Sequence, residues 1–154
     1  MYIEHLCNNP EYINKVANWI YDEFVVKTGG SLTYEEVVAY LSETNKKDYP
    51  FVFVAVYDNK CMATVSIFEN DLKTQKELTP WLASLYVEPK YRGKGVGEKL
   101  IERIKSEVKQ LGFNTLYLRT EYTADYYKQL GWDFLYKTKD IKDQETEVFK
   151  YDLV

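Results

Sequence analysis

The sequence predicts a mixed-sheet fold of the α/β (α+β) class, with residues 1–154 forming one domain. Three observations carry that prediction. The β-branched and aromatic runs FVFVAVY and MATVSIF flank Asp58-Asn59, residues that tolerate the left-handed backbone of a tight hairpin, which gives an antiparallel pair. A strand from Trp81 to Val87, a glycine-rich turn and a long amphipathic helix then lead into the strand TLYLR, which implies a parallel neighbour reached by a right-handed crossover. No internal repeat, Ser/Gly linker or low-complexity tract divides the chain.

The elements follow in order. Asn9-Pro10 supplies a cap and a first-turn proline, and Ile13, Val16, Ala17, Ile20 and Phe24 fall on one helical face that should end before Gly29-Gly30. Thr33 and Glu36 make a capping-box pair ahead of Val37, Val38 and Leu41, so a second short helix is expected, with Pro50 beyond its end. After the hairpin, ENDLKTQKELTP is polar and aperiodic. It reads as a loop, and a loop that long in a compact domain is often functional. Val96, Leu100, Ile101, Ile104, Val108 and Leu111 then hold one face of the clearest helix, closed by Gly112. A short helix over 124–130 capped by Gly131, a strand WDFLYK and a last strand over 146–153 complete the chain.

At 154 residues and 45% apolar composition the chain can bury a sufficient core without disulfide or metal staples. With only Cys7, Cys61 and His5, a zinc site of Cys and His lacks ligands, and no metal is expected. The opening MYIEHLCNNPEYINK has acidic residues and Asn-Pro where a signal peptide needs a basic flank and an unbroken apolar stretch, so a cytoplasmic protein is expected. The longest apolar run, Phe51 to Tyr57, is far short of the roughly 20 residues of a membrane span. Net charge is −4, with 7 basic and 12 acidic residues up to residue 80 and 13 and 12 after it. That balance argues against nucleic acid as the main partner and leaves the first half attractive to a cationic small molecule.

The chemistry concentrates in Leu85-Tyr86-Val87-Glu88-Pro89-Lys90-Tyr91-Arg92-Gly93-Lys94-Gly95-Val96-Gly97. A glycine-rich turn between a strand end and a helix start leaves main-chain N–H groups unpaired and lets an anion approach closely; the helix dipole favours negative charge there by about 0.3–1 kcal/mol. Arg92 and Lys94 add positive charge. The Walker pattern fails because Gly95, not Ser or Thr, follows Lys94, and the dinucleotide fingerprint fails because Gly93, Gly95 and Gly97 alternate.

Arg92-x-x-Gly95-x-Gly97, following Leu85-Tyr86-Val87 and Pro89, closely resembles the coenzyme A signature of the GNAT superfamily, the Gcn-related N-acetyltransferases. Tyr126-Tyr127-Lys128-Gln129-Leu130-Gly131-Trp132 resembles that family's late Phe-Tyr-x-x-x-Gly-Phe segment, and the element order matches over essentially the whole chain. The resemblance implies about six or seven strands in a mostly antiparallel mixed sheet, about four flanking helices and a splayed central strand pair. It implies acetyl-CoA as co-substrate and transfer of its acetyl group to a primary amine. Main-chain groups of Leu85, Tyr86 and Val87 would pair with the pantetheine arm, and those of Arg92, Gly93, Lys94, Gly95, Val96 and Gly97 would cradle the pyrophosphate. Tyr127 would protonate the leaving thiolate, with Tyr126 as a packing aromatic, and a backbone N–H near Leu85 would face the oxyanion. Many relatives carry an Asn beyond the strand equivalent to TLYLR, where this chain has Thr120-Glu121-Tyr122-Thr123; a hydroxyl there, as on Thr120, can substitute.

Amine attack on a thioester needs a base as well as a donor to the sulfur, because an ammonium must lose a proton first. Glu69, Asp71 and Glu77 are the nearby carboxylates, each read as a solvated loop charge, and a water chain is the other choice. Trp81 and Ser84 are candidates to line the acceptor pocket, with packing the other reading of Trp81. The expected acceptor is a small molecule such as an amino acid, polyamine or aminoglycoside, by direct transfer in a ternary complex. A peptide or protein amine, or a non-catalytic acyl-CoA sensor on the same fold, are the alternatives, and a homodimer through the last strands stays open.

Overall fold

Asp58 and Asn59 both adopt positive φ, 51° and 59°, as the two-residue hairpin requires. The computed structural model describes residues 1–154. Its regular elements are β1 (Tyr2–His5), α1 (Ile13–Ile20), α2 (Tyr34–Ser42), β2 (Phe51–Tyr57), β3 (Lys60–Phe68), β4 (Trp81–Val87), α3 (Val96–Gln110), β5 (Thr115–Thr120), α4 (Ala124–Gln129), β6 (Asp133–Lys139) and β7 (Glu145–Asp152). The sheet has seven strands in the order β1-β2-β3-β4-β5-β7-β6. β4 and β5 are parallel, as the crossover predicts, with Trp81 opposite Tyr117. β1 with β2, β5 with β7 and β6 with β7 are antiparallel, so the sheet is mixed. No helix is long and apolar enough to cross a membrane.

The chain divides into two compact units, residues 1–66 with 84–104, and residues 67–83 with 105–154. In the first, Val52, Val54, Val56 and Cys61 offer one face of the β2–β3 hairpin to Val16, Ala17 and Ile20 of α1 and to Val37 and Leu41 of α2. The α2 start is held as the sequence predicts: Thr33 Oγ1 accepts from Glu36 N–H at 3.1 Å and Glu36 Oε1 accepts from Thr33 N–H at 3.1 Å. In the second unit, Leu72, Trp81 and Val148 form the centre of a cluster joined by Leu78, Tyr117, Leu135 and Tyr136.

Four local details differ from expectation. Tyr2–His5 forms an edge strand on β2, with Ile3 and His5 more buried than Tyr2 and Glu4, and at four residues it is too short to stand out in the sequence. Asn9 does not cap the first helix with its side chain; its amide donates to the His5 carbonyl at 3.2 Å, and two 3-10 turns precede α1. After α1 the face predicted as one helix continues as a π-helical segment, Tyr21–Val26. On α3, Leu100, Ile101, Ile104 and Val108 are buried, but Leu111 is 48% exposed. The reason is local: Gly112, at φ 96°, and Phe113 turn their N–H groups back to the carbonyls of Lys109 and Val108 and end the helix.

The Ser66 hydroxyl on β3 is fully buried and has no hydrogen-bond partner. An unpaired buried hydroxyl costs folding free energy, so Ser66→Ala is expected to leave stability unchanged or raise it by about 1 kcal/mol. Thermal and urea melts of the two proteins check this.

Candidate active site

In the first unit, the second half of β4 is bent by Ser84, which holds φ at 53° in mid-strand. A non-glycine residue in that conformation is uncommon within a strand, and it re-aims the following residues, Leu85, Tyr86 and Val87. Beyond them the Glu88 N–H donates to the Met62 carbonyl at 2.9 Å. Arg92 reaches back over the turn: its Nε donates to the Val87 carbonyl at 2.7 Å and its guanidinium lies 5.3 Å from the centre of the Tyr86 ring. Arg92 therefore clamps the loop to the strand end as well as carrying charge. On its other side Tyr86 meets Trp19 of α1 at 5.3 Å between ring centres, and Lys15 stands over Trp19 at 5.4 Å and within 3.4 Å of Glu88 Oε2.

The glycine loop has the backbone the sequence reading requires. Gly93 and Gly95 adopt φ of 75° and 82°, and a Cβ built on either would meet no atom within 4 Å. The first main-chain bond of α3 is from Lys99 N–H to the Gly95 carbonyl, at 3.2 Å. The N–H groups of Gly95, Val96, Gly97 and Glu98 precede it and have no partner within the helix. Gly97 is buried and Lys94 exposed. Open space in front of a row of free N–H groups at a helix N-terminus suits an anion such as a pyrophosphate, so the residues present fit a coenzyme A phosphate.

In the second unit, Tyr127 of α4 is 8% exposed, with its ring edge-on to Tyr126 at 5.1 Å and to Trp132 at 6.0 Å. Its carbonyl accepts from Trp132 N–H at 3.0 Å, closing the helix beside Gly131 at φ 89°. Burial, and secondarily the neighbouring Tyr126, push the Tyr127 hydroxyl well above its usual range, so it stays a phenol and a donor. Thr120 is buried, and its Oγ1 accepts from Thr123 N–H at 3.0 Å and shares a 2.7 Å bond with Thr123 Oγ1. That hydroxyl is thus already engaged in the turn that starts α4.

Trp81 is fully buried and its Nε1 donates to the Leu78 carbonyl at 2.6 Å. It is a core residue, not a pocket wall, because the 69–80 loop folds over it. Among the loop carboxylates, Glu69 and Glu77 are exposed as expected, but Asp71 is half-buried. The sequence reading of Asp71 as a solvated charge is therefore corrected. Burial, partly offset by the Arg119 guanidinium and reinforced by Glu121, pushes its carboxyl up to about 7. Neither Arg119 nor its carboxylate partners Glu121 and Asp140 stood out in the sequence, since their meeting depends on the ends of β5 and β6 and leaves no periodic or motif signal.

The acetyltransferase (GNAT) family profile matches residues 13–132, and the chain belongs to this family. The amino-acid acetyltransferase of Pseudomonas putida strain GB-1 is 45% identical over 51 residues, which is 33% of this chain and 12% of that protein. That of Pseudomonas aeruginosa strain LESB58 is 41% identical over 51 residues, again 33% of this chain and 12% of the relative. The match thus spans about an eighth of the curated relatives' length. An aminoglycoside 6'-N-acetyltransferase complexed with coenzyme A superposes with TM-score 0.78 at 15% identity, over 100% of this chain and 98% of that one. The N-acetyltransferase from Staphylococcus aureus Mu50 gives 0.77 at 18% identity, over 100% of both chains. These similarities show that the fold is the acetyltransferase fold.

Proposed function

We propose that this protein is an acetyl-CoA-dependent N-acetyltransferase that moves the acetyl group to a primary amine of a small molecule by direct transfer. The observation that carries the reading is the Gly93–Gly97 loop, with its two positive-φ glycines, open space and free N–H groups at the start of α3. Family membership supports it, and so does the coenzyme A complex of a similarly folded protein. In this reading the main-chain N–H groups of Arg92, Gly93, Lys94, Gly95, Val96 and Gly97 bind the pyrophosphate. Leu85, Tyr86 and Val87 hold the pantetheine arm through main-chain groups, and the kink at Ser84 presents the Leu85 N–H to the thioester oxygen, a polarising contact that needs no reorganisation. The amine nitrogen forms its bond to the acetyl carbon, the carbon–sulfur bond breaks, and Tyr127 donates a hydrogen bond and then a proton to the departing sulfur.

The acceptor class follows from charge and from similar proteins. Amino-acid and aminoglycoside acetyltransferases are among them, and the acidic first half of the chain suits a cationic amine. The test is release of free thiol from acetyl-CoA in the presence of amino acids, polyamines, aminoglycosides and short peptides. Turnover confined to small amines is the expected result, and turnover on peptides alone would move the acceptor to a macromolecule.

A further inference from the structure

Within the first unit, α1 meets the end of the strand that leads into the phosphate loop through a matched pair of contacts. Lys15 and Trp19 stand four residues apart on α1 and so share one face, each one position before a buried residue, Val16 and Ile20. Tyr86 near the end of β4 and Glu88 just beyond it stand two residues apart, so their side chains point to the same side of the strand. The helix pair docks on the strand pair. Trp19 meets Tyr86 at 5.3 Å between ring centres, Lys15 Nζ lies 3.4 Å from Glu88 Oε2, and the same ammonium stands 5.4 Å from the centre of the Trp19 ring.

Both sides of this contact are fixed from behind. Val16, Ala17 and Ile20 pack α1 against the β2–β3 hairpin, and the Glu88 N–H donates to the Met62 carbonyl of β3 at 2.9 Å. The chain then turns through Pro89–Tyr91, where the N–H groups of Tyr91 and Arg92 donate to the carbonyls of Glu88 and Pro89 at 2.8 and 3.2 Å. That turn returns the Arg92 guanidinium to the Tyr86 ring, 5.3 Å from its centre, with Nε held on the Val87 carbonyl at 2.7 Å. The guanidinium keeps its Nη groups for a ligand, immediately before the Gly93–Gly97 loop. Arg92 is exposed, and a long side chain on an exposed loop ordinarily samples many rotamers, so ordering it as a ligand arrives costs affinity. Here the Tyr86 ring and the Val87 carbonyl order it beforehand, and Trp19 orders Tyr86. Lys15 serves the same end through charge, because the buried Glu88 Oε2 just ahead of an anion site would oppose the anion without an ammonium beside it.

We infer that Trp19 is a positioning residue for coenzyme A: through the Tyr86 ring it holds the Arg92 guanidinium in the orientation that meets the pyrophosphate. This rests on the coenzyme A reading of the Gly93–Gly97 loop above and adds to it a residue of α1 that lies outside the loop and outside the strand. The path has three links, Trp19 to Tyr86, Tyr86 to Arg92 and Arg92 to phosphate, and the first two are ring contacts on the page. A break at any link releases the same guanidinium, so breaks at two links should cost no more than a break at the last.

The experiment is calorimetric titration with coenzyme A and, in parallel, with pantetheine, which lacks the pyrophosphate. The proteins are wild type, Trp19→Leu, Trp19→Phe, Tyr86→Leu, Arg92→Gln and the double variant of Trp19→Leu with Arg92→Gln. Trp19→Leu is expected to weaken coenzyme A about tenfold, the scale of pre-ordering one long side chain, and to leave pantetheine within about twofold. Trp19→Phe keeps a ring against Tyr86 and should restore most of the affinity. Tyr86→Leu cuts the path at its middle and should match Trp19→Leu; it decides the matter if Trp19→Leu does not fold. The double variant should bind coenzyme A within about twofold of Arg92→Gln alone, whereas a residue that merely packs α1 would lower Tm and leave this pattern out. Coenzyme A affinity within about twofold of wild type in Trp19→Leu, equal weakening of both ligands, or effects that multiply in the double variant each overturn the inference and leave the coenzyme A reading intact. A wild type that binds no coenzyme A overturns both.

Discussion

Gly95→Ala is expected to weaken coenzyme A binding by at least about 30-fold, roughly 2 kcal/mol, while the protein stays folded. Gly95 holds φ at 82°, and a Cβ there would touch nothing in the protein. The folded state therefore bears only the cost of a left-handed alanine, about 1–2 kcal/mol, or a fall in Tm of about 2–8 °C. Binding suffers more. Relief of that strain swings the Gly95 and Val96 N–H groups away from the anion, each a charge-assisted bond contributing about 1.5–3 kcal/mol, and the new methyl group occupies the open space the phosphate needs. Lys94 is exposed, and Lys94→Ala should cost only a few-fold, about 1 kcal/mol or less. Pantetheine, which lacks the pyrophosphate, is the control: calorimetry should find its weak affinity unchanged by Gly95→Ala. Equal loss for both ligands would mean that the mutation acts by disordering α3, not by emptying a phosphate cradle.

Tyr127→Phe should lower kcat at least about tenfold, toward the 100-fold typical of lost acid catalysis, with coenzyme A affinity and Tm nearly unchanged. The hydroxyl makes no hydrogen bond within the protein, and the contacts of the residue with Tyr126 and Trp132 are made by the ring, which Phe keeps. Stability should therefore be indifferent to its removal. A tyrosine near its ordinary pKa of about 10 would be a modest acid toward a thiol of about 8.5. Burial raises Tyr127 further, so its contribution comes chiefly from a hydrogen bond that strengthens as charge gathers on sulfur, with the proton following late. No downward limb from Tyr127 ionisation is then expected in the alkaline pH profile below about pH 10. A variant with wild-type kcat would reduce Tyr127 to a packing residue of α4.

The sequence makes legible those features that are written locally. The hairpin at Asp58-Asn59, the Thr33–Glu36 capping box and the glycine stops at Gly112 and Gly131 each lie within a few residues, and each is present in the structure. The glycine loop is legible for the same reason, because positive φ at Gly93 and Gly95 is a property of residue type and neighbours. β1 was not legible: its four residues become a strand only because β2 provides partners for them. The bend at Ser84 has no sequence signal either, since serine in a strand ordinarily takes an extended backbone. Arg119 gathers Asp71, Glu121 and Asp140 across 69 residues of chain. Trp81 was open to two readings, pocket wall or packing, and its full burial beneath the folded loop is what decides for packing.

The most direct measurement is thiol release from acetyl-CoA against a panel of amino acids, polyamines, aminoglycosides and short peptides, with the acetylated product identified by mass. Acetyl transfer to one class of small amine, with one free thiol for each amide formed, is the predicted result. If acetyl-CoA raises the melting temperature but no amine in the panel, peptide or small molecule, releases thiol above the rate of spontaneous hydrolysis, the protein binds the acyl carrier without transferring from it, and the account of its function is wrong.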